Sequence, residues 1–490
     1  MIRRTTPWFG SAALAALVLA TPAQSQQPPA APGGAERVGQ VIAAVNAGDR
    51  ATLQAFVREH FAPEALGWAP EDAHVWYLST LARPGGLRGG AAVRSGVDRW
   101  ATGMVNATTE EVDSLWVSVE PSSPHRITRV SFGGGAGGAG AAAAALPTTD
   151  GGRAAELRRY VAKLAAADEF SGVVLLAKDG RPLVLEAFGA ANRDFHAPVR
   201  RDTKFNLGSA NKNLTAVVIG QLVEEGRLSW DDPLSRFLPD FPDSAAARRV
   251  RVKHLLSHTS GLGSYFNRRF MEGSRARFRT VDDYMALARP DSLRFEPGTR
   301  WKYSNSGFLV LGKIIELVEG KPYDEVVRAR ITGPLVMRST DTYALDRVNR
   351  NLAVGYIREI TPIGVTVRNN IFEHVIQGGP AGGGYSTAED MLRYAEALRG
   401  GRLVRRATLE LMRTPKPELS SPRYGYGFAL FDGSDVWGHG GDFPGVDFDL
   451  HQYGDSGYAI VLLANYDGVN DPILRKVKRM LQASGAVAAR

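Results

Sequence analysis

Apolar side chains in the opening stretches of this 490-residue chain recur every third or fourth position. Over residues 36–45 and 51–60 that spacing predicts two helices, separated by the turn residues Asn46-Ala47-Gly48-Asp49. Residues 112–119 and 125–132 then alternate apolar with polar, as half-buried strands do. Helices first and strands after make a small α+β unit over 35–132. The pattern restarts at 154–167 as a helix, followed by strand-like runs at 172–178 and 182–188 joined by the turn Asp179-Gly180. Helical spacing dominates the middle of the chain. Strands return at 426–431, 446–453 and 458–464, with a last helix from Pro472. This order predicts an α+β domain over 153–487: an antiparallel sheet built from both ends of the segment, enclosing a helical insertion.

Two low-complexity runs separate these units. Residues 26–34 (QQPPAAPGG) and the Gly/Ala-rich stretch within 133–152 have few side chains to bury and are expected to be linkers. Before the first lies a targeting pattern: Arg3 and Arg4, an apolar stretch over 9–20, then small residues at Ala23 and Ser25. Residues 1–25 are expected to be a signal peptide, giving a periplasmic or secreted mature protein with no stable membrane anchor. The chain has no cysteine, so neither disulfides nor a lipidated cysteine can hold it. Its net charge of +8 is spread along the sequence and is expected to be a surface property; nucleic acid is not an expected partner.

Candidate chemistry begins at Gly208-Ser209-Ala210-Asn211-Lys212. Residues three apart share a helix face, so Lys212 Nζ can reach Ser209 Oγ. A serine hydroxyl needs a base to become a nucleophile, and lysine serves when burial lowers its pKa. Leu214, Val217, Val218 and Leu222 form the apolar stripe of the helix that follows, and Gly226 stops it. Ser209 would thus sit in a first turn, where free N–H groups favour developing negative charge. Further on come Tyr303-Ser304-Asn305, then His439-Gly440-Gly441-Asp442. If 303–305 is extended, Tyr303 and Asn305 face one side; Tyr303 could shuttle a proton and Asn305 could bind substrate. His439, Gly440 and Gly441 could line the site, with the Asp442 N–H joining that of Ser209 as oxyanion donors. Taken singly, each has a plain structural explanation: a capped helix start, a buried tyrosine beside a turn asparagine, a glycine-rich turn.

Together and in this order, Ser-x-x-Lys, Tyr-x-Asn and His-Gly-Gly resemble the serine β-lactamase and penicillin-binding family, in its class C-like, DD-peptidase and esterase branch. LSWDDP (228–233), LLSHTSGL (255–262) and GGGYSTAED (382–390) strengthen the resemblance, which covers roughly residues 155–485. It implies Ser209 as acylated nucleophile, Lys212 as base, Tyr303 as proton shuttle and Asn305 as substrate contact, with no cofactor or metal. The substrate would be an ester, an amide or a D-amino-acid peptide, small or cell-wall-derived. Many family members have Lys-Thr-Gly where this chain has His-Gly-Gly, which removes the cation and hydroxyl that hold a substrate carboxylate. A non-catalytic peptidoglycan- or ligand-binding protein on the same fold is the competing reading. The unit at 35–132 is similar to NTF2-like accessory domains.

Two further motifs have plain explanations. Gly454-Asp455-Ser456-Gly457 fits a tight turn between strands, and His254 and His258 lack the glutamate of a zinc-binding H-E-x-x-H, so capping and packing roles are expected.

Overall fold

The computed structural model describes residues 33–79, 81, 86–132, 146–288, 293–361, 364–431 and 435–486. The expected signal peptide 1–25 lies outside the described residues, as do 26–32 of the first linker and 133–145 of the second.

The first unit opens with helices Gly34–Ala47 and Arg50–His60, the latter capped by the Asp49 carboxylate, which accepts from the Thr52 N–H at 2.8 Å. Two shorter helices, Pro63–Trp68 and Glu71–Ser79, are not legible in the spacing. A five-stranded antiparallel sheet follows, with Leu87–Gly89, Arg99–Asn106, Val112–Val119 and Ile127–Phe132 side by side and Val93–Arg94 beside Arg99–Asn106. The last strand starts at Ile127 rather than 125, because His125 is in a turn with positive φ. Leu115, Val117 and Val119 point to the helices and close a core with Val41, Val45, Leu53 and Val57.

Helix Asp150–Ala166 starts earlier than the spacing predicts, so 150–152 belong to it and not to a linker; the Thr149 hydroxyl accepts from the Gly152 N–H at 3.2 Å. The sheet behind it has six antiparallel strands in the order Ala429–Leu430, Val436–Phe443, Val446–Tyr453, Tyr458–Ala464, Gly172–Lys178 and Arg181–Phe188. Strands from the two ends of the segment join within it, Leu176 opposite Ile460. Asp179 and Gly180 turn the Gly172–Phe188 hairpin with positive φ at both positions. The run Val173-Val174-Leu175-Leu176 is apolar throughout because both faces are covered. Val174 and Leu176 pack with helices Asp150–Ala166 and Asp471–Ala483, whereas Val173 and Leu175 pack with the helical body. Gly454–Ser456 is the connection between two strands, as expected of a turn.

The motif His439-Gly440-Gly441-Asp442 lies inside strand Val436–Phe443 and is not a glycine-rich turn before the next strand. Conversely, the predicted strand 426–431 shrinks to Ala429–Leu430.

The two units meet at the turn following Arg99–Asn106. Glu110 takes Lys476 at 2.9 Å and Lys163 and Arg159 at 3.0 Å, while Glu156 takes Lys476 at 2.5 Å. The Tyr160 hydroxyl donates to the Thr109 carbonyl.

Candidate active site

Helix Asn211–Glu224 passes through the centre of the helical body, and Lys212 is 0% exposed. Its polar residues dock a neighbouring segment. Asn211 donates to the Gly379 carbonyl at 3.2 Å and accepts from the Gly384 N–H at 3.1 Å, while the Thr215 hydroxyl donates to the Pro380 carbonyl at 2.8 Å. That anchoring presents the Ala381 carbonyl to Lys212.

Ser209 lies in the 3₁₀ turn Gly208–Ala210 that leads into this helix. Lys212 Nζ is 3.0 Å from Ser209 Oγ, 2.8 Å from Asn305 Oδ1 and 2.5 Å from the Ala381 carbonyl. All three partners are neutral. Burial therefore holds the Lys212 pKa well below the usual lysine range. As a neutral amine it has two N–H groups and one lone pair. Asn305 Oδ1 and the Ala381 carbonyl can only accept, so they take the two N–H groups and the lone pair faces the Ser209 hydroxyl.

Tyr303 and Asn305 reach Lys212 differently from the extended arrangement predicted. Ser304 is the N-cap of helix Asn305–Glu319, its hydroxyl accepting from the Gly307 N–H at 3.0 Å and donating to the Gly263 carbonyl at 2.6 Å. Asn305 is thus the first helical residue; its Nδ2 donates to Ser264 Oγ at 3.2 Å, which fixes Oδ1 towards the lysine. The Tyr303 ring centroid is 4.9 Å from Lys212 Nζ. Burial raises the Tyr303 phenol above its ordinary pKa, with the neighbouring Ser209 hydroxyl pulling the other way, so it stays protonated at neutral pH.

Strand Val436–Phe443 closes against the Ser209 turn. A Cβ on Gly441 would stand 2.9 Å from the Ser209 nitrogen, and one on Gly208, whose φ is +49°, would stand 3.1 Å from the Asp442 nitrogen. Side chains at either position would drive the strand away, and with it the Asp442 N–H from that of Ser209. His439, on the same strand, is 4% exposed and fully engaged. Its Nε2 accepts from the Tyr424 hydroxyl at 2.8 Å and its Nδ1 lies 2.5 Å from the Gly440 carbonyl. Burial, reinforced by Lys212, pushes its pKa down to about 3, so the ring is neutral. It forms a wall of the site with no nitrogen left for a ligand.

Three participants are not found by sequence reasoning. The Ala381 carbonyl, one residue before the 382–390 stretch, is main chain and leaves no compositional signal. Tyr424, which ties off His439, sits in an inconspicuous S-P-R-Y-G-Y-G run. His258, for which only packing is expected, is the third. Its backbone is left-handed (φ +60°) and its Nε2 is buried without a hydrogen-bond partner, features that each cost about 1–3 kcal/mol. His254 does cap, its Nδ1 accepting from the Arg251 N–H at 3.2 Å.

An antiparallel sheet enclosing a helical insertion, with a serine beside a buried, uncompensated lysine at their junction, defines a serine hydrolase of the β-lactamase-related type. The beta-lactamase family model matches residues 157–483, and the chain belongs to that family. It is similar to a solved penicillin-binding protein from Bacillus halodurans, with 31% identity and a TM-score of 0.59 over 64% of this chain and 98% of that one. Esterase EstB of Burkholderia gladioli is 30% identical over 353 residues, 61% of this chain and 88% of the esterase. A teichoic acid D-alanine hydrolase of Staphylococcus aureus is 27% identical over 322 residues, 65% of this chain and 76% of the hydrolase. Among the described residues no helix is long and apolar enough to cross a membrane.

Proposed function

We propose that the chain is an exported hydrolase that cleaves neutral esters, amides or D-amino-acid peptides through an acyl-enzyme on Ser209. Lys212, as the free amine, takes the Ser209 proton while Oγ attacks the substrate carbonyl carbon. The N–H groups of Ser209 and Asp442 receive the oxyanion. Tyr303 protonates the leaving group as the carbon–heteroatom bond breaks and regains its proton from the Lys212 ammonium. Water then enters by the reverse sequence and frees the acid. Asn305 orients Lys212 and contacts the substrate. The observation that carries this reading is the environment of Lys212 Nζ: three hydrogen bonds, every partner neutral, complete burial.

Among carbonyl substrates, the engagement of His439 favours those without a carboxylate, because its nitrogens are spent on Tyr424 and Gly440. Two relatives are named as an esterase and a D-alanine hydrolase, which accords with an ester or D-amino-acid substrate. Residues 1–25 would be removed on export, leaving the enzyme periplasmic or secreted, and 35–132 would serve as an NTF2-like accessory to the hydrolase domain that opens with helix Asp150–Ala166.

A fluorophosphonate probe is expected to add one covalent group to the folded protein by intact-mass spectrometry, and none to the Ser209→Ala variant. Folded wild-type protein without an adduct would overturn the acyl-enzyme. Short-chain p-nitrophenyl esters should be turned over faster than nitrocefin; the opposite ranking would refute the argument from His439.

A further inference from the structure

His258 does more than fill space. Its carbonyl accepts from the Lys302 N–H at 2.9 Å, and its Nδ1 accepts from the Ser304 N–H at 3.1 Å. The main-chain donors on either side of Tyr303 are therefore both held by this one residue. Its imidazole lies against the Tyr303 ring, with centroids 4.3 Å apart, and is backed by Tyr424 at 4.5 Å and Phe308 at 5.2 Å. Because Nδ1 accepts, the ring proton is on Nε2. That N–H is the buried group without a partner.

Packing alone does not account for a histidine here. The left-handed backbone favours glycine or asparagine, and an apolar ring would fill the same volume without stranding a buried N–H. What neither substitute supplies is an aromatic face for Tyr303 together with an acceptor for the Ser304 N–H. Strain of this kind persists where the surroundings over-determine it, and here it converges on one tyrosine. The Ser304 N–H needs that acceptor because Ser304 is a helix N-cap, whose own N–H lies outside the helical ladder.

We infer that His258 is a positioning residue for Tyr303, a two-point clamp that fixes the phenol over Ser209 and Lys212. The inference rests on the proposed serine-hydrolase reading, in which Tyr303 protonates the leaving group. Burial, with Lys212 and His439 nearby, keeps the imidazole neutral, so Nδ1 stays free to accept across the working pH range. His258 itself touches no reacting atom.

The test uses leaving groups. An ethyl ester needs its departing oxygen protonated, whereas p-nitrophenolate leaves unaided. With one acyl group on both, His258→Ala should lower kcat/KM for the ethyl ester at least about tenfold more than for the p-nitrophenyl ester, and Tyr303→Phe should give the same asymmetry more strongly. His258→Asn should recover part of the loss, since asparagine tolerates the left-handed backbone and its Oδ1 can accept from Ser304, while the ring face against Tyr303 stays missing. Far-UV circular dichroism and fluorophosphonate titration of Ser209 restrict the comparison to folded, labelled protein. An equal loss on both esters, or an asymmetry in Tyr303→Phe that His258→Ala lacks, overturns the clamp and leaves the hydrolase standing. Wild-type protein inert to both esters overturns the two readings together.

Discussion

Two of the lysines that the protein buries are treated in opposite ways. Lys476, between the two units, has Glu110 at 2.9 Å and Glu156 at 2.5 Å. Lys212, at the candidate site, has an amide oxygen, a carbonyl and a hydroxyl. Carboxylates give a buried lysine ion-pair partners and turn it into a strut. Neutral acceptors satisfy its hydrogen bonds and leave its charge uncompensated, so the amine gives up its proton. Burial is common to both side chains; what differs is the nearest oxygens, carboxylates at Lys476 and neutral acceptors at Lys212.

The sharpest break comes from removing each nitrogen. Lys212→Met should cut ester turnover by about 10²–10⁴-fold while the melting temperature changes little, because no charge is left unpaired and the relief from burying an amine offsets the donors lost to Asn305 and Ala381. Lys476→Met should do the reverse, keeping most activity but losing about 2–3 kcal/mol of stability; Glu110 retains Lys163 and Arg159, so the loss falls below that of a pair with no other partner. Parallel kinetics and thermal melts check both.

Converting one environment into the other is a finer test. Asn305→Asp places a carboxylate where Oδ1 accepts from Lys212, which should raise the lysine pKa and favour the ammonium. The pH–rate profile should move to the alkaline side, and activity at pH 7 should fall about tenfold for every pH unit that the profile moves. An unmoved profile would dissociate Lys212 from the rate.

The smallest expected effect is the acid response of the interface. Burial acts to raise the Glu110 pKa, but hydrogen bonds from Lys476, Lys163 and Arg159 outweigh it and bring it from 4.5 to about 2. Glu156, held chiefly by Arg159 and then by Lys476 against the cost of burial, likewise falls to about 2. Folded values below the unfolded ones mean stabilisation that is complete above pH 4.5 and disappears as pH falls towards 2. Glu110→Gln should therefore be less stable than wild type at pH 7, with the gap in melting temperature closing over that acid window.

The sequence makes local relationships visible and hides those that need a third dimension. Ser209 and Lys212 share a helix face, so their spacing foretells their contact. The strands at 172–178 and 458–464 are long apolar runs with no competing period, and they stand out for that reason. Strand Val436–Phe443 does not, because Gly438, Gly440 and Gly441 have turn chemistry, and the close approach that demands glycine becomes apparent only with Leu207 and Ser209 beside it. The short strands Leu87–Gly89 and Val93–Arg94 are too brief for a period to register. His258 is recognisable as a buried histidine but not as a clamp, since its two acceptors meet donors that lie 44 and 46 residues along the chain.

The pairing of Leu176 with Ile460 sets a schedule for folding. Gly172–Lys178 emerges early in synthesis and can form its hairpin with Arg181–Phe188 at once, yet its other edge must wait for Tyr458–Ala464, almost the last element to be made. Until then an apolar strand with both faces meant for burial has one row of main-chain donors and acceptors unpaired, the kind of edge on which chains aggregate. Ser209, Lys212 and Tyr303 are all translated before that closure, so the nascent chain contains the candidate site's polar side chains well before the sheet beside them can be finished.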